Sequence, residues 1–250
     1  MATRSIAYCR SLIAYMTIAE NLAAIHDRIQ SAALRANRDA RVIRLMAVSK
    51  TVSPGRILEA YAAGQRLFGE NRAQEFAQKA AALSSLKDAE FHMIGHLQSN
   101  KAAKAAELFH AIDSIDSAKL ADRLNAAAKN HSKTLDILLE INIGGEGAKS
   151  GLAPDSPELE EVLRDAPGRS NLRIRGLMTV PPYTDDPEGA RPYFRKLCEL
   201  RDRLAARNYP AVSLDELSMG MSHDFEAAIE EGSTCVRIGT AIFGERTRAK

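Results

Sequence analysis

The feature that most constrains the fold of this chain is a regular alternation between short apolar runs and longer amphipathic stretches. Eight apolar runs occur, the first seven are each followed by a segment with helical periodicity, and one more such segment precedes the first run. Short apolar runs bounded by glycine, proline and polar residues are typical of buried strands. Strict alternation of strands and helices predicts a parallel sheet covered by helices.

The predicted elements follow one another along almost the whole chain. Strands, some with the turn that follows them, are expected at 44–49, 66–71, 91–95, 111–116, 136–143, 172–180, 213–221 and 235–244. Helices are expected at 18–37, 54–64, 72–83, 100–109, 117–131, 156–166, 190–207 and 222–232. Eight such units predict a (β/α)8 TIM-type barrel with an extra N-terminal helix, in a single domain. A doubly wound open sheet is the alternative, which is disfavoured because no strand–helix turn carries a GxGxxG phosphate motif.

Charge and cysteine content exclude several classes of protein. The net charge is +2, which gives no electrostatic basis for binding nucleic acid or a membrane surface. No run of about 18 apolar residues predicts a membrane span. Cys9, Cys198 and Cys235 are odd in number and far apart, so neither a disulfide framework nor a zinc site is indicated. We therefore expect a cytoplasmic protein.

Residues 1–15 differ from the rest of the chain. They carry two arginines, and Arg10 and Ser11 interrupt their apolar residues, so a targeting peptide is a weak interpretation. We expect an extension that is disordered or that reflects a misassigned start, with Met16 as the alternative first residue. The barrel domain is then expected to span 16–250.

The turns after the last two predicted strands are suited to holding a phosphate group. Functional residues of such barrels lie at the carboxyl ends of the strands, and phosphates are commonly held after the seventh and eighth. The sequences there are "MGMS" at 219–222 and "RIGTA" at 237–241. Ser222 is also expected at the start of a helix, where free N–H groups favour an anion.

Lys50 ends the first predicted strand, which in a closed barrel lies beside the eighth. A desolvated lysine next to a phosphorylated aldehyde is suited to forming a Schiff base. Pleat parity places Arg237 inside the barrel, where a charge is costly unless it is paired or binds a ligand. The structural alternatives are a snorkelling lysine at the barrel rim and an ion pair between Arg237 and Glu140.

Seven motifs in this order resemble one family closely. They are "AVSKT", "FGEN", "HMIGHLQSNK", "INI…KSG", "RGLM", "LSMGMSHDFEAAI" and "STCVRIGTAIFG". They are similar to the pyridoxal 5′-phosphate (PLP) homeostasis protein family, a group of single-barrel PLP-binding proteins related to the N-terminal domain of alanine racemase. The resemblance covers residues 18 to 246. Two departures from the family pattern are Phe91, where many members have tryptophan, and His223, where a small or acidic residue is more frequent.

The resemblance implies a covalently bound cofactor and a set of residues that hold it. It assigns cofactor contacts to Lys50, Asn71, Met178, Ser222, Arg237, Gly239 and Thr240. Lys50 would carry PLP as a Schiff base, and Arg237 would donate to the pyridine nitrogen and keep it unprotonated, which makes the ring a weaker electron sink. A role in packing alone stays open for Asn71, Met178 and the weaker candidate Met219. No metal site is expected, since His92 and His96 flank a strand end and not a helix face.

Three functions compete at this stage. The first is a carrier or regulator of PLP, a monomer or weak dimer, with apo forms of PLP-dependent enzymes as potential partners. The second is a racemase or decarboxylase-like enzyme, and the third an aldolase that uses Lys50 directly. Racemases of this type add a C-terminal β-domain that supplies a second acid–base group, and the chain ends at Lys250, so we expect no efficient classical PLP catalysis. The aldolase fits poorly because Arg237 would have no role.

Overall fold

The computed structural model describes residues 16–147 and 150–244, and they form one closed barrel. The predicted extension at 1–15 lies outside the described residues. The strands are Arg44–Val48 (β1), Leu67–Glu70 (β2), Glu90–Met93 (β3), Ala111–Ile115 (β4), Leu135–Glu140 (β5), Leu172–Met178 (β6), Val212–Met221 (β7) and Cys235–Ile238 (β8). The α-helices are Ile18–Arg35 (α1), Pro54–Ala62 (α2), Ala73–Ala80 (α3), Ala102–Leu108 (α4), Ala118–Asn130 (α5), Pro157–Arg164 (α6), Arg191–Ala205 (α7), Phe225–Glu231 (α8) and Thr240–Phe243 (α9).

The eight strands are parallel and pair in chain order, and β1 pairs with β8 to close the ring. The register at this seam places Met46 level with Arg237 and Ala47 level with Ile238. The predicted (β/α)8 barrel with an extra N-terminal helix is confirmed, and the open sheet is wrong. The carboxyl ends of β1 and β8 are therefore neighbours in space although they lie near opposite ends of the chain.

The helices form where an apolar stripe coincides with a start signal. Thr17 and Glu20 make a capping box at the start of α1, and Pro54 occupies the first turn of α2, where its missing N–H costs nothing. The stripe of α1, which includes Leu22 and Ile29, is buried where α1 packs against α2, α8 and α9. None of the helices within 16–147 and 150–244 combines the length and the apolar character needed to cross a membrane.

Two apolar layers lie on opposite sides of the sheet. The larger one fills the space between the strands and the helices. The smaller one, inside the barrel, consists of Met46, Leu67 and Cys235, against which Ile94 packs. Gly69 faces the same interior, where a Cβ atom would lie 2.7 Å from the sulfur of Met46. Side chains therefore fill the interior beside β1, β2 and β8.

The amino-terminal end of the barrel holds a buried histidine in an acidic setting. His92 Nδ1 lies 3.0 Å from Asp113 Oδ1, and its Nε2 lies 3.8 Å from Glu90 Oε2. Burial disfavours the imidazolium, and Arg44 opposes it, but the attraction of Asp113 and Glu90 prevails and raises the pKa of His92 to about 9. The histidine is therefore a buried cation at neutral pH.

This histidine predicts a stability that falls on the alkaline side of neutrality. Its folded pKa lies above the unfolded value of about 6.5, so its contribution is complete below pH 6.5 and is lost as the pH rises through about 9. We expect the free energy of unfolding to fall by up to about 3 kcal/mol across this window, measured by urea unfolding. His92→Gln should flatten the profile, whereas the exposed His131→Gln should not. An equal slope in both variants would contradict this assignment.

Candidate functional site

Lys50 lies at the carboxyl end of β1, at the seam with β8. It follows Val48 by two residues and is half-buried. The seam is tight, because a Cβ atom built on Gly239 would lie 3.4 Å from both the Cβ and the carbonyl oxygen of Val48. Gly239 directly follows β8, so the main chains that carry Lys50 and the β8 turn run side by side. The sequence-based expectation that these two segments meet agrees with the structure.

Arg237 points into the barrel, as pleat parity predicts. Its side chain is buried, with Nη1 donating to Ser218 Oγ at 2.7 Å and Nη2 to the Thr179 carbonyl at 2.7 Å. Among the described residues it forms no salt bridge, so the predicted alternative of an ion pair with Glu140 is not formed. Burial lowers the pKa of Arg237, but a guanidinium starts so high that it stays protonated. The site therefore contains a fixed cation with neutral partners.

The turns after β7 and β8 converge on one another. The Gly239 N–H lies 3.4 Å from Ser222 Oγ, which joins the two turns, and Thr240 begins the short helix α9. The first N–H groups of a helix have no acceptor within it. A hydroxyl and main-chain donors at one place make an arrangement that can accept a phosphate group.

The predicted start of the helix after β7 is wrong by three residues. The helix was expected from Ser222, but α8 begins at Phe225 with Asp224 as its N-cap. The reason is local: Asp224 Oδ1 accepts the Met221 N–H at 2.7 Å, which closes a turn before the helix can start. Ser222 therefore lies in that turn and contributes its hydroxyl rather than a helix N-terminus.

The packing of α8 fixes the position of this turn. Gly220 has a φ of +93°, and a Cβ atom there would lie 2.6 Å from the Cβ of Ala228. Only glycine allows the end of β7 to approach the helix so closely. On its outer side α8 is held by ion pairs, with Glu230 bound to Arg35 at 2.7 Å and to Arg191 at 2.8 Å.

The two predicted ring-pocket residues lie at the mouth, whereas the weaker candidate does not. Asn71 follows β2 and is half-buried, with its main chain packed against Gly95. Met178 ends β6, is buried, and lies level with Glu140 and Ser218 in the neighbouring strands. Met219 belongs to the outer apolar layer, so its candidacy is wrong: one residue along a strand reverses the side.

Sequence reasoning missed two of the polar residues near Arg237, Ser218 and Thr179, and considered the third, Glu140, only as an ion-pair partner. Ser218 and Thr179 hold its guanidinium, and Glu140 is buried beside them with one oxygen 3.0 Å from Ser150 Oγ. The other Glu140 oxygen is buried without a hydrogen bond among the described residues, and burial raises the pKa of this carboxyl. Strand parity applied to β7 would have found Ser218, since it lies level with Cys235, which is on the same inward face of β8 as Arg237.

These features fit one kind of ligand. The converging groups of Ser222 and Gly239 suit a phosphate, and the amine of Lys50 suits an aldehyde. A buried arginine with only neutral partners can still donate to a ligand acceptor. The residues present therefore fit a phosphorylated aldehyde that also offers a hydrogen-bond acceptor.

Comparison with known proteins identifies the family. The model of the alanine racemase N-terminal domain matches residues 21–247. A pyridoxal phosphate homeostasis protein of Aquifex aeolicus is 48% identical over 232 residues, covering 92% of this chain and 99% of the relative. A protein of the same name from Pseudomonas aeruginosa is 46% identical over 231 residues, covering 92% and 96%. The chain belongs to the pyridoxal phosphate homeostasis protein family.

A solved structure of the family extends the comparison to a bound cofactor. PipY of Synechococcus elongatus with PLP bound is 37% identical to this chain and superposes on it with a TM-score of 0.75. The match covers 91% of this chain and 100% of PipY. The resemblance that the sequence motifs indicated is thus confirmed. The two departures from the family pattern are also explained by the structure. Phe91 is a core residue that stacks on Phe68 at 5.2 Å, and His223 is exposed, stacks on Tyr183 and lies 3.0 Å from the Asp185 carbonyl.

Proposed function

We propose that this protein binds PLP as a Schiff base on Lys50 and acts in intracellular PLP homeostasis as a carrier or regulator. The observation that carries the proposal is the convergence of Lys50 with the turns after β7 and β8 at the β1–β8 seam. The solved relative with PLP bound supports the choice of ligand. The partners in this proposal are PLP itself and apo forms of PLP-dependent enzymes, in the cytoplasm.

Each residue of the site has a distinct part in this proposal. Ser222, with the main chain of Gly239 and Thr240, holds the phosphate, and Asn71 and Met178 border the ring. Lys50 presents its amine to the aldehyde. Bound PLP supplies an electrophilic aldehyde and an electron-withdrawing ring.

Arg237 supports a restrained reactivity. An arginine that faces the ring nitrogen donates to it and cannot accept a proton, so the nitrogen stays neutral. Electron withdrawal by the ring is then weaker than it would be beside a carboxylate. Ser218 and Thr179 hold the guanidinium of Arg237 in place, so it remains a hydrogen-bond donor at this position. We therefore propose a binding function without efficient classical PLP catalysis, with a racemase or decarboxylase-like enzyme as the alternative.

One sample tests both parts of the proposal. Protein loaded with PLP is treated with borohydride, which reduces a Schiff base to a stable secondary amine, and the modified peptide is located by mass spectrometry. We expect the modification on the peptide that contains Lys50. The untreated sample is then assayed for racemisation of alanine and other amino acids, and we expect none above background. Modification at another lysine would overturn the site, and robust racemisation would favour the enzymatic alternative.

A further inference from the structure

A buried lysine lies behind the strand that carries Lys50, on the outer side of the barrel. The ammonium of Lys79, on α3, is almost completely buried and contacts three acceptors. They are the Ser49 carbonyl at 3.0 Å, Glu70 Oε1 at 2.8 Å and Glu75 Oε1 at 3.1 Å. The site described above contains none of these groups. Lys79 is also too deeply buried to act as an ordinary solvated surface lysine.

These contacts hold the main chain on both sides of Lys50. Before it, Ser49 is bound twice, since its carbonyl accepts from Lys79 and its hydroxyl donates to Glu70 at 2.6 Å. After it, the Thr51 N–H donates to Glu75 Oε1 at 2.5 Å. Lys50 therefore lies between two anchored neighbours, and Lys79 contacts the acid that holds each of them.

Thr51 has a conformation that needs such anchoring. Its φ is +61°, the left-handed region that a residue with a branched side chain rarely adopts. A strained residue of this kind persists only when its surroundings determine it. The bond from Thr51 to Glu75 is one such determinant, and it lies directly after the residue proposed to carry the cofactor.

Burying the charges of Lys79, Glu70 and Glu75 is unfavourable, so packing alone does not account for these residues. A buried ammonium requires compensation, and Glu70 and Glu75 supply it. Burial raises the pKa of Glu70. Partial burial opposes the charged form of Glu75, but the Thr51 N–H and Lys79 outweigh it and lower the pKa of this carboxyl. Glu70 shares the outer face of β2 with Phe68, a position where an apolar residue would need no partner.

We propose that Lys79 is a positioning residue for Lys50: with Glu70 and Glu75, it fixes the main chain at Ser49 and Thr51 so that the Lys50 amine meets the aldehyde of a phosphate-anchored ligand. This rests on the proposed function. The step it assists is condensation: the neutral amine attacks the aldehyde carbon and a C–N bond forms. The two amine protons leave with the aldehyde oxygen as water, and no group is oxidised or reduced.

The test measures how fast the adduct forms after PLP is added to full-length protein from which the cofactor has been removed. Lys79→Met keeps the length of the side chain and removes its charge. We expect the maximal rate of adduct formation to fall about tenfold to a hundredfold, since small misplacements of reacting groups cost rate on this scale. The PLP concentration at half-maximal rate should change little, because the phosphate is held by the turns after β7 and β8. Lys104→Met, in an exposed Lys–Glu pair on the next helix, is the matched control.

A second readout needs no cofactor. In Lys79→Met without PLP, the amide hydrogens of a peptide spanning 47–53 should exchange faster with deuterium, while those in Lys104→Met should exchange as in the wild type. If Lys79→Met does not fold, Glu75→Ala tests the same inference, because Glu75 is more exposed and holds the Thr51 N–H. Glu75→Gln, which keeps an acceptor, should recover part of the rate.

The outcomes separate this inference from the proposal on which it rests. If the wild type forms no adduct on Lys50, the proposed function is wrong. If the wild type forms the adduct and Lys79→Met and Glu75→Ala form it at the same maximal rate, the positioning role is wrong. A uniform loss of PLP affinity with an unchanged maximal rate would indicate a structural role alone and would also overturn the inference.

Discussion

Replacing Lys50 by Arg should abolish the covalent PLP adduct while the protein stays folded and positively charged at this position. A guanidinium remains protonated and is not a nucleophile, whereas the lysine amine can lose its proton and attack an aldehyde. Without an oriented amine, borohydride-stable incorporation should fall on the order of 100-fold, to the level of unoriented surface lysines. The measurement is intact mass after reduction, together with the visible absorbance of the loaded protein.

Two further variants make this result interpretable. Lys50→Ala removes the charge as well as the amine, so a common loss in both variants assigns the effect to the nucleophile. Lys119→Ala, an exposed lysine on α5, should incorporate PLP as the wild type does. Undiminished incorporation into Lys50→Arg would show that the adduct forms elsewhere and that the site is wrong.

Introducing a carboxylate at Ser222 should separate recognition of the phosphate from reaction with the aldehyde. Ser222 Oγ lies against the Gly239 N–H, where the proposal places the phosphate. A negative charge at about 4 Å from another costs several kcal/mol in a partly buried site, so Ser222→Asp should weaken PLP binding on the order of 100-fold or more. Pyridoxal, which has no phosphate, should bind Ser222→Asp and wild type equally. Equilibrium titration with both compounds measures the difference.

The control for this prediction is a carboxylate placed away from the mouth. Ser85 is exposed in the segment between α3 and β3, at the amino-terminal end of the barrel, and Ser85→Asp should bind both compounds normally. An equal loss of affinity for PLP and pyridoxal in Ser222→Asp would mean that the substitution distorts the turn. In that case the phosphate is not held where we place it.

Much of the architecture was predictable because two periodicities of the backbone are simple. Alternating sides along a strand predicted that Arg237 points into the barrel, which agrees with the structure, and the same rule accounts for the Ser49 side chain facing the helices. The same rule would have rejected Met219, which differs from the inward Ser218 by one position. Counting the strand–helix units was enough to predict the closed barrel. Eight parallel strands form a barrel whose interior is just wide enough for their side chains to fill.

What the sequence did not predict depends on contacts between distant segments. Lys79 lies on the amphipathic helix α3, where the sequence alone would predict a lysine exposed to solvent. The lysine is buried only because α3 packs against Glu70 of β2. The sequence did offer one indication of this contact: Glu70 is an acid on the helix-facing side of β2, where it needs a basic partner. The start of α8 at Phe225 was missed because one side-chain bond, from Met221 to Asp224, outweighs the general preference for serine at a helix start.

The pairing of β1 with β8 has a consequence for how the protein acquires a ligand as it is made. Lys50 leaves the ribosome well before the turn that carries Gly239 and Thr240. The two segments meet only when the ring closes, which requires contact between its first and last strands, β1 and β8. In our proposal, a partly synthesised or opened barrel has the lysine without the turns that hold the phosphate. Ligand capture would then be coupled to closure of the ring, and PLP would stabilise only the closed barrel.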